Sequence, residues 1–190
     1  GTNGYTIHYK NYNNEKPVIY GGKRIEGWET WQNGIYKTKI DGDADFYALT
    51  EDMEWAKEAC YPNEGYLGVA RRGKSDRRNT LLYLKDEDMP ENLSLEGLRV
   101  KSIPYLHYGS ATWPVTEIDR KNNSVTLNSL GEKNTTPWTE PDGLYCMVGN
   151  LSFLDTPGEF YIDRNQILIK YSYLFNELTE RMVGKWEKEN

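Results

Sequence analysis

The chain is poor in the residues that most often carry metal and thiol chemistry: its 190 residues include two cysteines and two histidines. Cys60 and Cys146 define no disulfide framework; they can pair or stand as two small buried thiols, and both readings remain open. His8 and His107 have no Cys or His at ligand spacing around them, so no metal site is expected. No apolar run approaches the roughly 18 residues of a membrane-spanning helix, and the mean hydropathy is −0.81. Positive charge is also short, with 23 Lys and Arg against 29 Asp and Glu and a net charge of −6. Outside the short Arg71-Arg72…Arg77-Arg78 cluster there is no basic run. A nucleic-acid groove needs a broad basic footprint, so nucleic acids and other polymeric anions are not expected partners. The chain opens Gly1-Thr2 with no Met and no apolar leader. It is therefore expected to be a segment of a longer product, with any targeting signal outside it.

What the chain does have is aromatic rings with a polar handle: six Trp and fifteen Tyr against four Phe. Such rings suit half-exposed sheet surfaces and the faces of sugars. Alternating or β-branched runs recur at Tyr5–Tyr9, Pro17–Tyr20, Gly34–Ile40, Thr80–Leu84, Leu98–Ile103 and Trp113–Ile118. Further runs follow at Ser124–Asn128, Gly143–Val148, Glu159–Ile162 and Gln166–Tyr173. Turn dipeptides punctuate them: Gly21-Gly22, Asn33-Gly34, Asp41-Gly42, Asn122-Asn123 and Asp142-Gly143. Short strands broken by turns every dozen or so residues predict a mainly β domain, a sandwich or a barrel-like fold, with one or two short helices. The clearest hairpin joins Val115–Asp119 to Ser124–Asn128. Its alternation places Val115, Glu117 and Asp119 on one face and Thr116 and Ile118 on the other. Helix formers from Glu51 to Ala59, with Thr50 as a cap, predict one short helix. Leu178, Met182 and Trp186, four apart, predict a second in the C-terminal stretch.

The polar constellations are each more easily read as structural than as catalytic. Asp155, Glu159 and Asp163 are carboxylates spaced by four, but Thr156-Pro157-Gly158 is a turn that Asp155 would cap through its backbone. Asp41, Asp43, Asp45 and Asp52 follow a calcium-loop count, yet Phe46 stands where that loop needs Gly. Ser110 near His107 has no nucleophile elbow around it. Neither Gly21-Gly22 nor Asp142-Gly143 opens a helix after a strand, so no nucleotide cofactor is expected, and no other cofactor is implied. Asn92, Asn122, Asn134 and Asn150 head Asn-x-Ser/Thr sequons, which matter only in a eukaryotic secretory route. For ligand contact the rings are better candidates. Trp113 and Trp138 are each flanked by a proline that stiffens the backbone, and Trp138 sits in a polar stretch with little apolar surface to cover it.

Three segments carry a resemblance. Tyr5-Thr6-Ile7 with Asn14 to Gly22 and Ile25-Glu26-Gly27-Trp28 resembles the early coils of right-handed parallel β-helix, pectin-lyase-like proteins. Asn33 to Lys37, followed by Phe46 to Leu49 and Ala56 to Asn63, is similar to the same family's continuation. Leu154-Asp155-Thr156-Pro157-Gly158-Glu159-Phe160-Tyr161-Ile162-Asp163 is similar to its "LDtPGEWylD" phrase. The chain departs from the family at Asp52-Met53, where a tight Asn-Gly hairpin is usual, and at Cys60, where an Arg is usual. The resemblance implies early β-helix-type strands over 1–28, a flanking β-sandwich or barrel over 29–175, and a short helical tail over 176–190. It further implies a non-catalytic flanking or accessory region of an extracellular or periplasmic β-helix glycoside hydrolase, or less readily of a polysaccharide lyase. The acid and base would lie on later coils. The partners so implied are a polysaccharide or oligosaccharide and the remaining β-helix coils of the parent protein, with no nucleic acid and no membrane. The alternative is a free-standing carbohydrate-binding or structural β module.

Overall fold

The computed structural model describes residues 2–17, 21–32, 34–40, 48–52, 54–76, 78–107, 109–128, 137–163 and 167–171. Within them the protein is mainly β, with two single-turn 3-10 segments, Thr2–Gly4 and Leu151–Phe153. The strands are β1 (Glu29–Gln32), β2 (Ile35–Lys39), β3 (Leu49–Glu51), β4 (Glu54–Glu58), β5 (Cys60–Tyr61), β6 (Leu67–Gly68) and β7 (Asn79–Tyr83). They continue as β8 (Arg99–Ile103), β9 (Ala111–Asp119), β10 (Ser124–Asn128), β11 (Leu144–Val148), β12 (Glu159–Ile162) and β13 (Ile167–Tyr171). One sheet runs β1-β2-β13-β12-β4-β3 and the other β5-β11-β8-β9-β10-β7, with β6 also on β11. Pairing is antiparallel except between β12 and β4, where Glu159 faces Lys57 and Phe160 faces Glu58.

The two sheets share one core. Leu82, Val100, Trp113, Val115, Val125, Leu127, Tyr145 and Met147 of the second sheet meet Tyr161 and Ile169 of the first. Each side chain buried there contributes roughly 1.5–3 kcal/mol relative to its exposed state. Strand β12 is covered on both faces: Tyr161 points into that core, while Phe160 packs with Ile40 and Leu49 in a second cluster that takes in Ile25 and Trp28. The chain passes between the sheets twice, over 149–158 from β11 to β12 and, earlier, at a single residue. β4 lies in the first sheet and β5 in the second, and Ala59 between them is fully buried, donating its N–H to the Phe160 carbonyl at 2.8 Å. A residue without a side chain beyond Cβ lets the chain cross there without opening a gap.

Three expectations are corrected. The stretch from Glu51 to Ala59 is a strand hairpin, not a helix: Leu49, Thr50 and Glu51 pair with Ala56, Trp55 and Glu54. Asp52 takes φ +50°, a conformation Asp tolerates, and pairing of β4 with β12 outweighs its local helix preference. Tyr5–Tyr9 forms no strand; Tyr5, Ile7 and Tyr9 are exposed and outside both sheets. The β9–β10 hairpin forms where expected, but Glu117 does not share a face with Val115. The register moves from Thr126↔Glu117 to Leu127↔Val115, so Thr116 is an extra residue in a bulge. Beyond it the alternation inverts, leaving Ile118 packed on the core and Glu117 exposed. The remaining strand-like stretch Pro17–Tyr20 falls mostly, and the calcium-like Asp41, Asp43 and Asp45, the sequon at Asn134 and the helical tail over 176–190 wholly, outside the described residues.

Candidate functional site

The crossing at Ala59 brings together two of the segments that carry the resemblance, although they lie about ninety residues apart in the chain. After β5, residues Pro62–Gly65 leave the sheet and β6 rejoins the same strand, β11. The excursion docks on the turn that leads into β12. Asn63 Nδ2 donates to Asp155 Oδ1 at 2.7 Å and to Thr156 Oγ1 at 3.0 Å. Thr156 Oγ1 donates to Asp155 Oδ1 at 2.9 Å, and Lys57 Nζ donates to the Asn63 carbonyl. Glu159 reaches back from the first position of β12, its Oε2 accepting the N–H groups of Asp155 at 3.3 Å and Thr156 at 3.2 Å.

These contacts decide what the carboxylates can do. Glu159 is 2% exposed, and its Oε1 is buried with no hydrogen-bond partner. Burial pushes its carboxyl above the usual glutamate value; the two backbone N–H groups pull the other way, and the neighbouring charge of Asp155 adds to the rise. Asp155 is open to solvent but engaged by Asn63 and Thr156. The arrangement is a clasp that holds two turns together; Glu159 takes the backbone N–H groups of the turn, and Asp155, expected to cap it through the backbone, instead accepts from the Asn63 amide and the Thr156 hydroxyl. Asp163 follows directly after β12. Lys57 and Asn63 were not singled out from sequence. Their only signal was membership of the resembling run from Ala56 to Asn63.

Behind the clasp, Cys60 and Cys146 are buried together with Val148 and are both free thiols. Cys60 donates to the Pro62 carbonyl at 3.2 Å. Burial, with the neighbouring Cys60 adding to it, pushes the Cys146 thiol up to about 11, which makes it inert near neutrality. Among the described residues no group of His, Cys, Asp and Glu converges as a metal-ligand set. His107 stands in a turn at φ +53°, its N–H bonded to the Pro104 carbonyl at 2.8 Å, and both it and Ser110 are exposed. Two sequons are engaged by the fold. Asn150 is 2% exposed and bonds Ser94 and Ser152, while Asn122 Nδ2 donates to Asp119 Oδ2 at 2.6 Å.

The two ring candidates part company. Trp113 is 7% exposed in the central core, and its indole N–H donates to Ser102 Oγ at 2.9 Å, a bond that a buried Ser and a buried indole both require. Its ring faces are taken by protein. Trp138 is half-buried between buried Pro137 and Thr139, so part of its surface meets solvent. Its position is fixed through the backbone: the Thr139 carbonyl accepts the N–H of Gly73 at 3.4 Å.

Neither a protein-family profile nor a curated protein matches the chain. Among solved structures it is similar to a chain described as "Glycoside hydrolase", with a TM-score of 0.62 at 15% identity over 84% of this chain. The likeness is one of fold, and this chain spans 30% of the length of that protein.

Proposed function

We propose that this chain is a non-catalytic flanking region of an extracellular or periplasmic glycoside hydrolase whose further chain forms a right-handed parallel β-helix, and that it meets polysaccharide through Trp138. The observation that carries this reading is the two-sheet fold it has in common with 30% of a glycoside hydrolase. The clasp supports the non-catalytic part. A glycosidase needs two carboxyl groups facing a shared opening, whereas Glu159 is buried and Asp155 is hydrogen-bonded into its own turn. The first residues support a parent protein. Tyr5, Ile7 and Tyr9 are 78%, 67% and 84% exposed and fall on alternate positions, the pattern of a strand that buries one face when it joins a sheet.

Trp138 offers a flat apolar face with a polar edge beside rigid backbone, which suits the face of a sugar ring. Titration with xylan, pectin and galactan oligosaccharides, followed by Trp fluorescence, is expected to shift the wild-type signal. The Trp138→Ala variant is expected to lose most of that affinity while losing less than about 1.5 kcal/mol of stability. Equal binding by Trp138→Ala, or silence of the wild type at millimolar ligand, overturns the contact. The chain is also expected to hydrolyse no aryl glycoside or polysaccharide by itself. Turnover that Asp155→Ala or Glu159→Ala abolishes would overturn the non-catalytic assignment.

A further inference from the structure

The net charge of −6 hides a local reversal. Residues 70–83 hold five basic side chains and one acid, and the described residues among them, all but Arg77, form one irregular hairpin. Its arms are tied by the bridges Arg71↔Tyr83 and Ser75↔Thr80, by Ala70 N–H to the Tyr83 carbonyl at 3.0 Å and by Leu81 N–H to the Lys74 carbonyl at 2.9 Å. The acid is turned to structure: Asp76 Oδ1 accepts the N–H groups of Arg78 and Asn79, each at 2.7 Å, and so makes the tip. Gly73 seats the hairpin. A Cβ there would lie 1.6 Å from the Leu81 carbonyl oxygen and 3.2 Å from Thr139 Oγ1, so only glycine allows this approach to β7 and to the segment beside Trp138.

The cations that bracket this seat are held out to solvent. Arg71, Arg72, Lys74 and Arg78 are all exposed. The Arg71 guanidinium lies 3.7 Å over the Tyr83 ring, a cation–π contact that holds the head group there. Among the described residues the ion pairs are Arg24 with Glu26 and Arg99 with Glu58, so Arg71, Arg72 and Lys74 neutralise no acid. At the root of the hairpin a groove of about 470 Å³ is lined by Arg71, Tyr83, Lys85 and Asn122 but also by Asp86 and Glu87. Those two acids disfavour an anion in the groove itself. On the side toward Thr139 the nearest acids in sequence among the described residues are Glu140, whose Oε2 is buried, and Asp142.

We infer that the basic hairpin and the Trp138 segment form one binding face for an acidic glycan, a sugar chain bearing carboxylate or sulfate groups. A ring stacks on Trp138 while Arg72 and Lys74 meet the anionic substituents. The inference rests on the glycan-binding reading above and narrows it to charged sugars. It also reverses the expectation drawn from net charge, because an anion a few ångströms from a cluster feels that cluster and not the acidic groups beyond a Debye length.

Calorimetric titration of the full chain with a neutral xylose hexamer, a glucuronate-containing hexamer and a sulfated hexamer tests it, with a single-stranded DNA oligomer and anionic phospholipid vesicles as further arms. The carboxylated or the sulfated sugar should bind more tightly than the neutral one, and whichever is tighter names the group. Arg72→Gln/Lys74→Gln should weaken that binding roughly fivefold or more, as expected for two partly solvated ion pairs, with neutral-sugar binding unchanged. Raising the salt should weaken wild-type binding in the same sense. Both positions are exposed, so an unchanged melting temperature is expected, and Lys74→Glu alone gives a second reading in the same direction. Equal binding of neutral and acidic sugars, unmoved by these variants, overturns the acidic-glycan inference and leaves the glycan reading standing. No binding of any sugar overturns both. DNA or vesicles binding more tightly than every sugar overturns the inference in favour of another polyanion.

Discussion

At the scale of single residues, Glu159 and the two tryptophans show how position changes the meaning of a side chain. Glu159 has a raised carboxyl value because burial penalises its charge more than two backbone N–H groups relieve it. The folded chain therefore holds that proton more tightly than the unfolded chain does. The stability it contributes is fully present below the ordinary value of 4.5 and is lost as pH rises through the raised folded value. Glu159→Gln keeps an acceptor for the two N–H groups and removes the titration, so its unfolding free energy should fall less than that of the wild type between pH 4 and pH 7. Parallel pH profiles from urea denaturation would contradict this. Trp113→Ala removes a core ring and strands the Ser102 hydroxyl, which should cost about 3–5 kcal/mol. Trp138→Ala should cost less than about 1.5 kcal/mol, since part of that ring is already solvated.

Among the elements, the β3–β4 hairpin and the basic hairpin depend on backbone positions where few residues fit. Asp52 at φ +50° turns β3 into β4. Asp52→Val should destabilise by about 1–2 kcal/mol, because a β-branched residue resists the left-handed region, whereas Asp52→Gly should be neutral or slightly stabilising. Gly73 is the stricter case. Gly73→Ala puts a methyl 1.6 Å from the Leu81 carbonyl oxygen, so the first arm of the hairpin must move away from its second arm, β7. A loss of at least about 2 kcal/mol is expected, with faster hydrogen exchange at the Leu81 amide. Exchange and stability both unchanged would show that the hairpin sits differently. The bulge at Thr116 gives β9 its two partners: Ala111–Pro114 face β8, and the residues from Val115 on face β10.

For the whole molecule, the question is whether the sheets stand or fall together. They share the core, the chain crosses between them at buried Ala59, and the half-exposed Arg99–Glu58 ion pair joins β8 to β4. Within the second sheet, the ends of β8 and β11 approach so closely that a Cβ on Gly149 would lie 2.4 Å from the Gly97 carbonyl oxygen. Two faces of one core cannot lose contact separately. Urea unfolding followed by Trp fluorescence and by far-ultraviolet circular dichroism should therefore give coincident midpoints, and Gly149→Ala should lower both equally. Separated transitions would mean that the sheets unfold independently.

The sequence by itself determined the β class and most of the strands of the second sheet. Those depend on alternation over a few residues and on turn chemistry, and Ser124–Asn128 forms its strand with the bounds read from its pattern. Tertiary structure alone decided the rest. Glu51–Ala59 has the residues of a helix and becomes a strand because β12 offers a partner and the core takes Ala59. Val115, Glu117 and Ile118 exchange faces at a bulge that no local pattern announces. Trp113 and Trp138 look alike beside their prolines, and only the second sheet's core, by enclosing one ring and leaving the other half-open, distinguishes them. The basic cluster was visible as letters, but its seat against Thr139 depends on a contact between residues more than sixty positions apart. Local pattern fixes which face a residue can turn; what stands opposite that face is settled by long-range packing.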